Sequence, residues 1–204
     1  MKDRRKAILE AAARVIARRG VRGLRVEELA AEARVSKALV YYHFEDRAGL
    51  LRHTLEFIGD RAERYTRRDP AGRPHEPVSP LRELERRLLL ELQDAPEVRE
   101  NSTAWGELRA SAVFDPELRE ELAQAGLDWV REIADLLGRA GPTVPDAALV
   151  ASAERLTALL EGLSTRWLIG LLPLRHAREL MREAIAVELE RLELPDRPAV
   201  CTVR

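Results

Sequence analysis

Between Arg25 and Phe44 the sequence RVEELAAEARVSKALVYYHF sets apolar residues in two helical registers separated by a break. Val26, Leu29, Ala30 and Ala33 recur at i, i+3, i+4 and i+7, the stripe of a helix over 26–33. Ser36 stands where a hydroxyl caps a new helix, Lys37 to Phe44, with Val40 and Phe44 on its inner face. Lys37, Ala38, Leu39, Tyr41, Tyr42 and His43 are then left pointing outward or sideways. Ahead of this pair, Ile8, Ala11, Ala12, Val15 and Ile16 predict a helix from about Arg4 to Arg19, with Gly20 as a left-handed stop. Behind it, Leu51, Leu55, Ile58, Ala62 and Tyr65 predict a helix from about Arg47 to Arg67.

Asp69 to Pro80 holds four prolines and a glycine, which predicts a loop. Five more helices are expected beyond it. One covers about Leu81–Leu92. The next follows Asp94-Ala95-Pro96 and carries Val98, Asn101, Trp105, Leu108 and Ala112 on one face. Asp115-Pro116 opens a third, striped by Leu118, Leu122, Ala125, Trp129, Ile133 and Leu136 and closed at Gly138 or Gly141. Pro145-Asp146 opens a fourth that reaches about Leu172, where Pro173 breaks it, and the last runs from about Leu174 to Leu192. The fold class is therefore all-α, about nine helices, divided as 1–52, 53–194 and a flexible tail over 195–204.

Composition agrees: 46% hydrophobic, 34% charged and only 4% aromatic residues suit a helical chain rich in Leu, Ala, Arg and Glu. Cys201 is the single cysteine, so neither a disulfide nor a cysteine metal site is expected. His43, His53, His75 and His176 form no ligand-spaced pair, and no metal or cofactor is expected. The opening residues run straight into an amphipathic helix without a basic-then-apolar leader, and the longest apolar run, Trp167 to Leu174, is far short of the ~20 residues of a membrane span. A cytoplasmic protein without a membrane partner is the expectation.

Charge is unevenly spread. The net charge is −1, yet residues 1–52 carry +6 and the remainder −7. A basic amino-terminal module on an acidic body fits a DNA-binding head attached to a domain with another task. Enzyme chemistry finds no support: there is no phosphate-binding glycine loop, no nucleophile elbow and no plausible triad.

The first 52 residues resemble the DNA-binding domain of the tetracycline-repressor (TetR) family. The resemblance rests on the opening helix, Gly20, the VEELA stripe, Val35-Ser36-Lys37, Tyr41-Tyr42-His43-Phe44, Asp46-Arg47 and Leu50-Leu51. The body resembles the choline-regulator (BetI-like) type through Phe114-Asp115-Pro116-Glu117-Leu118-Arg119 and Leu160-Glu161-Gly162-Leu163. Two positions depart from the family pattern. Arg25 replaces the usual Ser or Thr cap before the second helix, and Arg34 replaces the turn glycine. Each departure costs on the order of 1 kcal/mol.

The resemblance implies an N-terminal three-helix helix-turn-helix domain whose third helix enters the major groove of double-stranded DNA. Its DNA-binding residues would be Ser36, Lys37, Ala38, Leu39, Tyr41, Tyr42, His43 and Arg47. Lys37 suits guanine O6/N7 or a phosphate, Ala38 and Leu39 thymine methyls, and Tyr41, Tyr42 and His43 phosphate oxygens. For Tyr41 a partly packed role weighs as much as a DNA contact. Arg47 beside a helix start would form an anion site, and Arg4-Arg5-Lys6 would add phosphate contacts.

Two such heads on a two-fold axis are needed for tight binding to a palindromic operator. A homodimer through the last two helices is expected, with Leu156, Leu160, Leu163 and Trp167 filling the seam and Ala177, Leu180, Met181, Ala184 and Val187 as the partner stripe. Gly162, Ser164 and Gly170 would allow close approach. The other helices would enclose a pocket for a small amphipathic or cationic organic effector. Its expected lining is Trp105, Leu108, Arg109, Phe114, Trp129, Ile133 and Trp167, with Glu107, Glu161 and Arg166 as further polar anchors. A reading of equal weight places each tryptophan only in the core. The leading reading is a repressor released by ligand; the alternative is a non-specific or architectural DNA-binding protein without an effector.

Overall fold

The computed structural model describes residues 2–67, 79–141 and 144–193. All their regular structure is helical: α1 (Lys2–Arg19), a single 3-10 turn (Val21–Gly23), α2 (Val26–Ala33), α3 (Lys37–Phe44), α4 (Arg47–Arg67), α5 (Pro80–Leu89), α6 (Pro96–Ala112), α7 (Pro116–Ala140), α8 (Asp146–Leu168) and α9 (Leu174–Glu193). Of the expected loop over Asp69–Pro80, residues 69–78 lie outside the described residues, as do Cys201 and the tail over 195–204, while Pro80 already opens α5.

Helices α1 to α4 close around one apolar core. Ile8, Ala11, Ala12, Val15 and Ile16 are fully buried on α1 and meet Leu29, Val40, Phe44, Leu51 and Ile58. That core does not stop at the head. Ala104, Leu108 and Ala112 of α6 and Leu118 of α7 belong to it, so the head is packed onto the body. The expected boundary after residue 52 falls inside α4, which continues unbroken to Arg67. A second core joins α5, α7, α8 and α9 through Leu84, Leu88, Ile133, Leu137, Leu156 and Met181.

Capping explains most of the helix starts. Ser36, Ser79 and Asp115 each accept a backbone N–H three residues on, while Pro80, Pro96 and Pro116 occupy first-turn positions where a missing donor is harmless. Helix α8 ends at Leu168, four residues short of the expected end at about Leu172. Gly170 has φ 76°, its N–H donates to Trp167 O, and Leu171 N–H donates to Arg166 O. This paired arrangement terminates a helix on glycine, so Gly170 ends α8.

Candidate functional site

The helix-turn-helix is α2, a tight turn and α3. At the turn Arg34 adopts φ 54°, ψ 47°, with its N–H on Ala31 O and Val35 N–H on Ala30 O. This left-handed corner favours glycine, and Arg34 occupies it under strain of about 1 kcal/mol. Arg25 supplies no side-chain cap to α2. Both departures read from the sequence are real structural features.

Helix α3 buries Val40 and Phe44 and turns the rest of its surface outward. Tyr42 is 70% exposed and Tyr41 49%, so Tyr41 is not a packed residue. Lys37 and Ala38 are exposed, and Leu39 and His43 are half-buried. The Ser36 hydroxyl is occupied as the cap, accepting from Leu39 N–H at 3.2 Å. Lys37 Nζ lies 3.0 Å from Glu27 Oε1 and draws that carboxyl below its ordinary range. Both partners are exposed, and a surface pair of this kind, screened by solvent, holds the lysine only weakly. The three N-terminal basic residues form no loose arm. Arg4, Arg5 and Lys6 lie within α1, Arg5 sits 5.4 Å from the Phe44 ring centroid, and Lys6 pairs with Glu10.

The turn from α3 to α4 is tight. Glu45, at φ 61° and ψ −63°, forms a γ-turn in which Asp46 N–H reaches Phe44 O at 2.6 Å. Asp46 Oδ1 then caps α4 by accepting Gly49 N–H at 2.7 Å, and a Cβ at Gly49 would collide with Phe44 O. Arg47, exposed at the start of α4, spends one donor within the fold. Its Nη2 donates to Val21 O at 2.6 Å, tying α4 to the 3-10 turn. That same turn is gripped from the body: Glu107 Oε2 accepts Val21 N–H at 3.3 Å and lies where a Cβ of Gly20 would stand. Gly20 has φ 72° and ψ 169°, an extended positive-φ conformation and not the expected left-handed helical stop. Glu107 is thus a link between body and head, contrary to its expected place as a polar anchor of the ligand.

Behind the head, α4, α6, α7 and α8 surround a cavity of about 940 Å³. Trp105, Arg109 and Trp129 of the expected lining face it. The other four residues do not. Leu108 is fully buried in the head core and Ile133 in the body core, each a packing residue. Trp167 is buried in the body core with the Arg99 guanidinium 4.9 Å from its ring centroid, and Phe114 is 78% exposed beyond the end of α6. Glu161 lines the cavity and pairs with Arg109, whereas Arg166 lies outside it.

Further groups at the cavity were not singled out from the sequence. Tyr65 Oη donates to Glu91 Oε2 at 2.7 Å, with Glu91 on the cavity wall. Arg87, 2% exposed, donates to the Thr66 hydroxyl and the Glu132 carboxylate and lies 5.5 Å from the Trp129 ring centroid. A signal for Arg87 exists in the sequence, since it interrupts the apolar register of Leu84 and Leu88. A buried arginine there needs partners inside the fold. Among the described residues no cluster of His, Cys, Asp or Glu is placed to hold a metal ion, and no helix is long and apolar enough to cross a membrane.

Residues 8–54 match the model of bacterial regulatory proteins of the tetR family, and residues 80–190 that of the BetI-type transcriptional repressor C-terminal domain. A putative TetR-family transcriptional regulator from Rhodococcus sp. is 45% identical, with 93% of this chain and 100% of that one covered and a TM-score of 0.83. The chain belongs to the TetR family. It is a DNA-binding transcriptional regulator and not an enzyme. A putative transcriptional regulator from Saccharomonospora viridis, solved in complex with choline, shares the TetR fold at 24% identity over 91% of this chain and 97% of its own, TM-score 0.76. A TetR-family member from Streptomyces coelicolor A3 aligns at 27% identity over 89% and 97% of the two chains, TM-score 0.64. A comparison with curated proteins returned no match.

Proposed function

We propose that this TetR-family protein is a homodimeric repressor that leaves a palindromic operator when a small amphipathic organic molecule fills its cavity. The observation that carries the reading is the double role of α6. One face of α6 lines the cavity with Asn101, Trp105 and Arg109, while Glu107 on another face holds the 3-10 turn of the head. A ligand pressing on Trp105 therefore acts on the helix that positions the head. Helix α4 has the same double attachment, with Leu50 and Leu51 in the head core and Gly59, Ala62 and Thr66 on the cavity. A change of head spacing abolishes the match to successive major grooves ~34–36 Å apart. The choline bound by the Saccharomonospora viridis regulator is an example of a small organic ligand held on this fold.

The dimer would form through α8 and α9, only in part on the residues the sequence singled out. Leu156, Leu160, Leu163, Trp167, Ala177 and Met181 are buried within the protomer and cannot fill an intersubunit seam. Val150, Leu159 and Val187 are the exposed apolar residues on these helices, and Leu180 and Ala184 are half-buried beside them.

The test is a thermal-shift screen of amphipathic organic molecules on the full chain, with each binder then competed against a labelled duplex from the protein's own promoter. A molecule that raises Tm and releases the duplex is the expected result. If every binder leaves the duplex in place, the cavity does not control the head.

A further inference from the structure

Three glutamates lie on α2, and two of them turn back onto α1. Glu28 pairs with Arg19 at 2.9 Å, and Glu32 with Arg14 and Arg18 at 2.9 and 2.5 Å. Glu27 turns the other way. Its Oε1 lies 3.0 Å from Nζ of Lys37, the first residue of α3, and its side chain is 69% exposed. The buried side of α2 is Leu29, Ala30 and Ala33, so Glu27 takes no part in the core. Glu28 already places an acid in the first turn, where the helix dipole favours one.

In a helix-turn-helix the residues at the start of the second helix meet the base edges. Lys37 stands there, and so does a carboxylate 3.0 Å from its ammonium. Among phosphates an exposed carboxylate is repelled unless a donor receives it. The major groove offers such donors at cytosine N4 and adenine N6. Neither charge needs to leave the other, because an ammonium has three donors and a carboxylate about four acceptor sites. The spacing also fits. Cytosine N4 and guanine O6 of one base pair are hydrogen-bonded to each other at about 2.9 Å, close to the separation of the two protein charges. Laid edge to edge, the carboxylate meets N4 and the ammonium meets O6, with guanine N7 beside it as a second acceptor. An adenine–thymine pair offers the same alternation at N6 and O4. It sets the N7 acceptor beside the carboxylate, however, and the thymine methyl beside the ammonium, and both oppose the fit.

We propose, on the reading that α3 enters the major groove, that Glu27 is a specificity residue of the head. Together with Lys37 it reads one G·C base pair, the carboxylate accepting from cytosine N4 while the ammonium donates to guanine O6. An ammonium alone donates to guanine or thymine alike; the carboxylate beside it is what favours the G·C pair.

The test uses the full-length protein as wild type, Glu27→Gln, Glu27→Ala and Lys37→Ala. Each enriches duplexes from a random-sequence library, and anisotropy titrations then measure the enriched site with every base pair changed in turn. Wild type should select a G·C pair at one position and lose about tenfold in affinity when its cytosine is replaced by adenine, and its guanine by thymine. Glu27→Gln should prefer adenine at that position, since a carboxamide accepts from N6 and donates to N7. Glu27→Ala and Lys37→Ala should each relax that same position, and Glu27→Ala should bind unrelated DNA more tightly, having lost a negative charge from the DNA face. A residue that only neutralises Lys37 or supports α2 would not change the preferred base. Glu27 variants that keep every base preference of the wild type overturn the proposal alone, and so does relaxation of different positions by the Glu27 and Lys37 variants. A wild-type protein that enriches no consensus overturns it together with the operator reading.

Discussion

Lys37 is the exposed cation at the start of α3, restrained only by Glu27. Releasing it from that surface pair costs little, so its charge is available for a base edge or a phosphate. Lys37→Ala should weaken operator binding by ~1–3 kcal/mol, concentrated at one base position, which a panel of single-base operator variants measures. Tyr42→Phe should instead weaken all DNA sequences alike, since a phenol of 70% exposure suits a phosphate oxygen. Arg34 presents the reverse trade. Arg34→Gly relieves the left-handed strain, partly offset by the greater freedom of glycine in the unfolded chain, and should raise Tm by about 1–4 °C. The same change removes a cation beside the DNA face, so affinity should fall as stability rises.

At the level of elements, one carboxylate of α2 binds two arginines of α1. Glu32 accepts from Arg14 at 2.9 Å and from Arg18 at 2.5 Å, and the Arg18 hydrogen bond, followed by that of Arg14, holds its carboxyl down at about 2. A depressed carboxyl stabilises the fold above its unfolded pKa near 4.5 and loses that contribution as pH falls toward 2. Glu32→Gln should therefore lower stability at pH 7 by about 1 kcal/mol, allowing for the exposure of Arg18, and flatten the acid limb of the stability curve over that window. On α6 the two faces should separate by mutation. Trp105→Ala should alter ligand response while sparing DNA affinity, and Glu107→Ala should alter DNA affinity while sparing ligand binding, both read by the same pair of titrations.

The head helices were legible because amphipathic spacing and caps state their ends: α2 and α3 begin and end where Val26, Ala33, Ser36 and Phe44 place them. The end of α8 was not, because Gly170 and Pro173 both terminate helices and only the backbone shows which acts first. The cavity lining was legible in part. Trp105, Leu108 and Ala112 share a helical register, and spacing alone does not tell an indole on a cavity from a leucine in a core a few residues away. Arg47 and Glu107 were placed by charge, yet a charged side chain a few ångströms from a bare carbonyl or N–H, as each is at Val21, binds that backbone group first. Contacts across 26 and 86 residues leave no periodic trace.

As a whole molecule, the chain is a basic helix-turn-helix head fused through a shared core to an acidic helical body that encloses a cavity. The fusion matters for regulation, since a head on a free linker would not feel what fills the body. One α3 presents too few side chains for tight specific binding, so paired heads are required. The most direct measurement is a fluorescence anisotropy titration against the promoter upstream of the protein's own coding region, at physiological salt with excess unrelated DNA. Saturable binding of one dimer, at about nanomolar Kd, is the predicted result. Binding that disappears under competitor, or that no promoter fragment distinguishes, would contradict it and leave the head a non-specific anchor.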